Sequence, residues 1–338
     1  MPVSSIQEIL SDFSAGKMVI VVDDMFRENE GDLVVAADYV TPEIINFMAT
    51  YGKGLICMPL SADLCDRLDF YPMVETAPRG LTAFTVTIDA VEGITTGVSA
   101  YDRAITASKV VDVKSSPGDF RRPGHMFPLR AHRGGVLVRS GHTEASVDLC
   151  CAAGLTPAAV ICEILNDDGS MSRLPELEEL SRLHDLKIGF VEDLVDFRLK
   201  SENIVSFVKE FSLENGVFVR QYHDKIDGCG WCLVYRSYHK GAPLTIDKNF
   251  FGEVFYEVDL RSALVSCIKD HSPKPGMVGV FRAVAAVSDG ATSMDLMRMS
   301  SIQVVFKRTM TALAFISADV GADAPCLSID EWKSCFSF

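Results

Sequence analysis

Short apolar runs separated by charged or glycine-rich stretches set the rhythm of the chain. Ile6, Ile9 and Leu10 fall on one face at helical spacing and predict a helix over residues 4–11. Met18-Val19-Ile20-Val21-Val22 and Leu33-Val34-Val35-Ala36 predict strands at 18–23 and 33–37, with a charged tip between them. Thr41-Pro42-Glu43 has the form of a helix start. The hydroxyl caps and the proline takes the first helical position, so a helix is expected to about residue 51. The run from Gly54 to Leu60 predicts a short buried strand ended by Pro59. Residues 84–88 alternate like a strand. Thr95 to Ala100 is a polar turn, and a helix begins at Tyr101-Asp102-Arg103 and runs to about 111. Prolines and glycines in 115–124 predict irregular chain leading to His125. Val136-Leu137-Val138 predicts a strand, and Thr143 is placed as N-cap of a helix from Glu144 to about 153. Thr156-Pro157 opens an element containing Ile161-Cys162-Glu163-Ile164, and residues 175–186 form a further helix.

Strands interleave with helices throughout this part, so an α/β (α+β) domain is expected, a mixed sheet with helices around it. Residues 199–204 mark a join, which gives domains 1–200 and 201–338. The second is a smaller α/β domain with strand-like runs at 216–222, 231–236 and 254–259 and an apolar helix at 301–316. The chain has 338 residues, 48% of them hydrophobic, enough for one large or two ordinary cores.

Charge narrows the partners. The net charge is −14, and residues 1–200 hold 18 basic against 30 acidic side chains, while 201–338 hold 14 against 16. Neither half offers the basic field that nucleic acid needs. No stretch approaches ~20 uncharged apolar residues, so no membrane span is expected. Met1 to Ser5 lacks the basic and apolar regions of a signal peptide, and ten scattered cysteines are expected as reduced thiols in the cytoplasm. A small anionic substrate must therefore be held by a few placed arginines and a metal.

Three clusters can do that. In Arg27-Glu28-Asn29-Glu30-Gly31-Asp32, after Asp23-Asp24, carboxylates crowd around one arginine. A hard divalent cation would relieve their repulsion, although a solvated hairpin tip has the same composition. Gly31 is expected to let the backbone turn. Arg139-Ser140-Gly141-His142-Thr143 opens a helix, where free amides and the dipole bind anions. Arg139 can grip a phosphate, Thr143 can add a hydroxyl, and His142 can ligate a metal. Arg122-Pro123-Gly124-His125 presents a histidine suited to acid–base work. Glu163 lies inside an apolar run, either as a buried proton-transfer group or as the solvent face of an amphipathic helix. Cys57 is a small core residue or a buried thiol beside a site.

Together these stretches resemble the 3,4-dihydroxy-2-butanone 4-phosphate synthase family of riboflavin biosynthesis. The acidic loop, Thr95-Thr96-Gly97-Val98-Ser99-Ala100 with Asp102-Arg103, Arg122-Pro123-Gly124-His125, Arg139-Ser140-Gly141-His142-Thr143 and Ile161-Cys162-Glu163-Ile164 occur in the family's order over about residues 4–200. Met25 departs from it, where an acidic residue is usual, and only a local effect is expected. The resemblance implies a lyase that takes D-ribulose 5-phosphate to 3,4-dihydroxy-2-butanone 4-phosphate and formate. It implies Glu28 and His142 as metal ligands, for Mg²⁺ or Mn²⁺ and two ions per site. Arg27, Glu28, Asp32, Arg139, Ser140, Gly141, His142, Thr143 and Glu163 would contact substrate, and His125, Glu163 and Glu30 would serve catalysis. A cytoplasmic homodimer with sites at its interface, and His125 acting across it, is also implied.

In many relatives the next domain is GTP cyclohydrolase II, whose zinc needs three close cysteines with a Cys-Asp-Cys run. Residues 201–338 hold Cys229, Cys232, Cys267, Cys326 and Cys335, with one lone C-x-x-C. A degenerate or unrelated companion domain without catalysis is expected. The alternatives are an unrecognised cyclohydrolase activity or a regulatory module.

Overall fold

The apolar run after Lys17 becomes β1 (Val19–Val22) and turns back as β2 (Gly31–Ala36). Every residue of both strands is buried, so the apolar residues run on without alternation, and one carboxyl, Asp32, is buried among them. The computed structural model describes residues 3–25, 27–74, 81–212, 217–226, 228–236, 244–256, 277–285, 302–319 and 322–323. They belong to two compact units that divide between Arg198 and Leu199.

The first unit is a mixed sheet with helices. Its remaining strands are β3 (Lys53–Leu60), β4 (Ile88–Ala90), β5 (Phe120–Arg130), β6 (Ala159–Ile164) and β7 (Ile188–Phe190). Their order is β4-β5-β3-β6-β2-β1-β7. β2 runs antiparallel to β1 and to β6, and β3 runs antiparallel to β6 but parallel to β5. The register sets Asp32 opposite Glu163, which puts both carboxyls on one face of the sheet.

The helices are α1 (Ile6–Ser14), α2 (Pro42–Phe47), α3 (Ala62–Arg67), α4 (Ala100–Val111), α5 (His142–Ala152), α6 (Leu174–His184) and α7 (Val191–Ser201). Ser5 and Glu8 close a capping box on α1, and the Thr41 hydroxyl caps α2 as expected. One wider π turn, Met48–Gly52, follows α2 and ends where Lys53 enters the left-handed region at φ 67°.

Several expectations are corrected. Residues 120–124 are not irregular but open β5, whose proline and glycine sit in a bulge against β4. Pro59 does not end β3, which runs to Leu60 before Ser61 caps α3. The strand expected at 84–88 is reduced to β4 and isolated bridges at Phe84 and Thr85. Val136-Leu137-Val138 is not a strand. Gly135 takes φ 60° and starts a single 3₁₀ turn, and the Val136 amide donates to the Asp148 carboxylate instead of a neighbouring strand. α5 begins at His142 with Gly141 as N-cap, so Thr143 lies inside its first turn. α7 has no counterpart in the predicted elements.

α7 holds the 134–138 turn. Arg198 donates to Gly134 O at 2.9 Å and to the largely buried Asp148 at 2.8 Å. Val191, Leu194 and Val195 of the same helix are buried. A chain ended after Ser201 is therefore expected to stay folded. One ended after Phe190 is expected to lose roughly 5 kcal/mol or more, from exposed core and an orphaned carboxylate. Equal urea midpoints for the two truncations would refute this role of α7.

The second unit is a six-stranded sheet with one described helix, α8 (Ile302–Asp319). Its strands are β8 (Val205–Ser212), β9 (Val217–Asp224), β10 (Gly230–Arg236), β11 (Leu244–Tyr256), β12 (Met277–Ala285) and β13 (Ala322–Asp323), in the order β13-β11-β12-β10-β9-β8. Asp224 is buried, accepts from Trp231 Nε1 at 3.0 Å and pairs with Arg308 at 2.9 Å. Cys229 and Cys232 are buried, and burial pushes the Cys232 thiol up to about 12. Cys267, Cys326, Cys335 and positions 216, 257–259 and 301 of the expected elements lie outside the described residues. No helix among the described residues is long and apolar enough to cross a membrane.

Candidate active site

Asp23 organises the acidic loop. Its buried carboxylate accepts from Arg27 Nη1 at 2.7 Å and from the amides of Glu28 and Glu30 at 3.3 and 2.9 Å. Asn29 makes the tight turn in the left-handed region at φ 53°. Gly31 does not, which corrects the expected role. It lies at the start of β2, and a Cβ there would collide with Leu177 of α6. From outside, Arg173 Nη1 donates to the Glu28 carbonyl at 2.7 Å and also to that of Asn29. Met25 stands exposed on this loop.

The loop faces the N-terminus of α5. His142, the first residue of that helix, is buried, with Nδ1 4.0 Å from Glu28 Oε2 and 3.9 Å from Asp32 Oδ1. Neither His142 Nε2 nor Asp32 Oδ1 has a hydrogen-bond partner among the described residues, although both are buried. Burial pushes the Asp32 carboxyl up to about 7; His142 opposes this, and the nearby carboxylates Glu163, Glu28 and Asp23 add to it. Burial and then Glu28 also raise Glu30.

Two guanidinium groups meet beside α5. A Cβ on Gly141 would lie 2.6 Å from Arg139 Nη1 and 2.9 Å from Arg27 Nη2. Only glycine leaves room for both. Like charges this close are tolerable because each has its own carboxylate: Arg27 pairs with Asp23 and Glu28, and Arg139 with Glu144 at 2.6 Å. Glu144 is buried with Arg139 and also accepts the His132 amide at 3.0 Å. Arg139 further donates to Thr82 Oγ1 at 3.0 Å.

Glu163 sits half-buried on β6, a strand and not an amphipathic helix. Its Oε2 accepts the Leu55 amide at 2.8 Å. Gly54 permits that approach, since a Cβ there would lie 2.7 Å from the same oxygen.

These groups enclose a cavity of about 200 Å³ lined by Arg27, Glu28, Glu30, Asp32, Arg139, His142, Thr143 and Glu163, with Cys57, Thr82 and apolar neighbours. Cys57 is thus both core and wall, and burial raises its thiol. Of the expected site residues, Ser140 and Gly141 are buried in the turn behind the lining. His125 does not line this cavity. It stands on β5, paired with Asp89. Asp23, Glu144 and Arg173 are the supporting residues that sequence reasoning did not assign. Glu144 follows His142-Thr143 directly, and its place in the first helical turn was the available signal.

Ligand atoms of Asp23, Glu28 and His142 lie within 4.8 Å of one another. Asp23 already accepts three donors, so Glu28 and His142 have the free capacity for a cation. The lining carboxylates outnumber the two arginines, which suits a divalent cation with part of its water shell retained.

Residues 7–197 match the family described as 3,4-dihydroxy-2-butanone 4-phosphate synthase. A riboflavin biosynthesis protein RibBA of Aquifex aeolicus (strain VF5) is 53% identical over 232 residues, covering 67% of this chain and 57% of that protein. A 3,4-dihydroxy-2-butanone 4-phosphate synthase of Neisseria meningitidis serogroup B (strain ATCC BAA-335 / MC58) is 49% identical over 231 residues, covering 67% and 63%. The chain thus spans less than two thirds of the length of these curated relatives. The crystal structure of RibBX, a two-domain 3,4-dihydroxy-2-butanone 4-phosphate synthase from A. baumannii, is similar over 97% of this chain and 96% of that one, with TM-score 0.76 and 34% identity. A synthase crystallised in complex with two magnesium ions matches 59% of this chain and 98% of its own, with TM-score 0.56 and 42% identity.

Proposed function

The chain belongs to the 3,4-dihydroxy-2-butanone 4-phosphate synthase family, and on that premise we propose that it converts D-ribulose 5-phosphate to 3,4-dihydroxy-2-butanone 4-phosphate and formate. The observation that carries the proposal is the convergence of Arg27 and Arg139 on Gly141 at the start of α5, next to the Glu28–His142 pair. A phosphate dianion fits that cradle, with two forked cations and the first amides of the helix as donors and the Thr143 hydroxyl beside them. The sugar carbons then extend along the wall formed by Asp32 and Glu163.

Enolisation, dehydration and rearrangement need several proton transfers in one pocket. Asp32 and Glu163 face each other from neighbouring strands and differ in burial, which suits a donor and an acceptor. Glu30, at the loop's edge, is a further acid–base or positioning group. The atoms of the substrate divide between the two products with nothing added, so the reaction needs no redox partner. Glu28 and His142 would hold Mg²⁺ or Mn²⁺, and the unsatisfied buried oxygen of Asp32 beside them supports that fit. A cation bound there supplies Lewis-acid polarisation of the sugar oxygens. The relative crystallised with two magnesium ions supports magnesium as the ion, and the reading takes two ions per site.

The reading includes a cytoplasmic homodimer with His125 acting across the interface. Its support is that His125 lies outside its own chain's cavity and that Tyr71, Met73, Val74 and Leu81 are exposed apolar side chains. We read residues 201–338 as a non-catalytic companion domain in the place of a cyclohydrolase, in keeping with the likeness to the two-domain RibBX over nearly the whole chain.

The test is formate release from D-ribulose 5-phosphate, with GTP as a control substrate. Activity is expected to require Mg²⁺, to fall by about 10³-fold or more on exhaustive chelation, and to leave GTP unchanged. A cation favours the ionised form of Asp32, whose carboxyl burial pushes up to about 7. The apparent Mg²⁺ affinity is therefore expected to rise with pH up to about 7 and to level off above it. In the cation-free chain the same raised carboxyl has the opposite sign. Its stability is fully present below the ordinary aspartate value and is lost as pH climbs through about 7. Full activity after chelation would remove the metal from the reading, and turnover of GTP would make the chain bifunctional.

A further inference from the structure

His125 is delivered by an unusual stretch of β5. Ile88 of β4 pairs with Met126, but the next residue, Asp89, pairs with Arg121, so Arg122, Pro123, Gly124 and His125 bulge out against a single step of β4. The bulge is pinned from several sides. The Arg122 guanidinium donates to Leu68 O at 2.9 Å and to Phe120 O at 3.2 Å, and it lies over the Phe70 ring. The Gly124 amide donates to Thr87 Oγ1 at 3.1 Å.

Asp89 is the centre of this arrangement. Its carboxylate is 1% exposed, whereas the His125 side chain is 45% exposed. Asp89 Oδ1 accepts the His125 amide at 2.9 Å. Asp89 Oδ2 lies 2.9 Å from His125 Nδ1 and also accepts from Arg121 Nη2 at 3.1 Å. Arg121 donates in turn to the Thr96 carbonyl at 3.3 Å. Gly97, at φ 107°, closes over the pair: a Cβ there would collide with Asp89 Oδ2 and lie 2.5 Å from His125 Nδ1. Both carboxylate oxygens are engaged, and nothing larger than glycine fits above them.

We propose that Asp89 is a positioning residue that holds the His125 imidazole in the Nδ1–H tautomer, leaving Nε2 bare to transfer protons with substrate. This rests on the reading of His125 as a catalytic group in the proposed reaction. A carboxylate only accepts, so the proton between the two groups must sit on Nδ1. The second nitrogen is then free to take a proton, and the Asp89 Oδ2 contact, closed over by Gly97, keeps the ring from turning. A merely structural ion pair would not need one partner half in solvent while the other is sealed from it.

Two measurements test this. Long-range proton–nitrogen NMR of the wild-type chain, at a pH where the imidazole is neutral and with His125→Gln for assignment, is expected to show His125 as Nδ1–H. An Nε2–H tautomer would overturn the assignment whatever the variants do. Asp89→Asn offers a side-chain amide to the ring and is expected to shift it to Nε2–H. Its kcat for formate release is expected to fall about 10²- to 10⁴-fold, with KM for D-ribulose 5-phosphate within about threefold of wild type. A kcat within about threefold would overturn the proposal, as would full activity of His125→Gln. A wild-type chain that releases no formate would overturn the reaction read above, and the spectra would then decide the Asp89 assignment on their own.

Discussion

Replacing Glu163 by glutamine is expected to lower kcat for formate release by about 10³-fold, with little change in stability. The two side chains have the same size, and the amide oxygen can still accept the Leu55 amide that Glu163 Oε2 accepts now. What disappears is one of the groups that can gain and lose a proton in the wall of the cavity. Glu163 is half-buried on a central strand, opposite Asp32, and Gly54 brings backbone against it so that it cannot swing away. The variant therefore keeps the shape of the site and loses its chemistry. The readouts are steady-state formate release and a urea unfolding curve. Near wild-type kcat with an unchanged midpoint would show that the proton passes through another group.

The second large effect is expected at Arg139. Arg139→Ala removes one arm of the anion cradle and strands Glu144, a carboxylate as buried as the arginine it pairs with. Breaking a buried pair costs about 3–5 kcal/mol, because the remaining charge keeps only the His132 amide and has no counter-charge. KM for the sugar phosphate is expected to rise about 10²-fold, since a charge-assisted contact to phosphate contributes roughly 1.5–3 kcal/mol. A double variant separates the two losses. Arg139→Met with Glu144→Met restores an apolar pair of similar bulk, so most of the stability should return while KM stays high. If stability falls in Arg139→Ala but KM does not move, Arg139 is a structural residue and the cradle is misassigned.

Much of this site could be read in the sequence because its parts are contiguous. The acidic loop and the Arg139–Thr143 turn are unbroken stretches whose residue types already state their chemistry, and the cavity gathers both. What could not be read depends on distant chain. That Arg27 and Arg139 would converge on Gly141 follows from the strand order, not from local spacing. From local sequence Gly31 reads as a turn residue, because the side chain it must avoid, Leu177, lies on α6. Val136 to Val138 has the apolar character of a strand, but its amide is captured by Asp148 from α5, and a tertiary bond overrides local propensity. Residues 120–124 look like irregular chain because proline and glycine break ladders, and here the break is the bulge that presents His125. Thr143 lost the capping position to Gly141, since the turn must admit two guanidinium groups where a capping side chain would stand.

The cross-strand pairing of Asp32 with Glu163 has a consequence for how the chain becomes competent. The two residues are more than a hundred positions apart, and the same holds for Leu55 and Glu163. Local helices such as α1 can form early, since their contacts are near in sequence. The reacting groups meet only when β6 enters between β2 and β3, a step that must first close long loops against chain entropy. A partly folded chain thus holds no partial site: helix content can return before any turnover does, and enzymatic activity becomes a clock for the last insertion into the sheet.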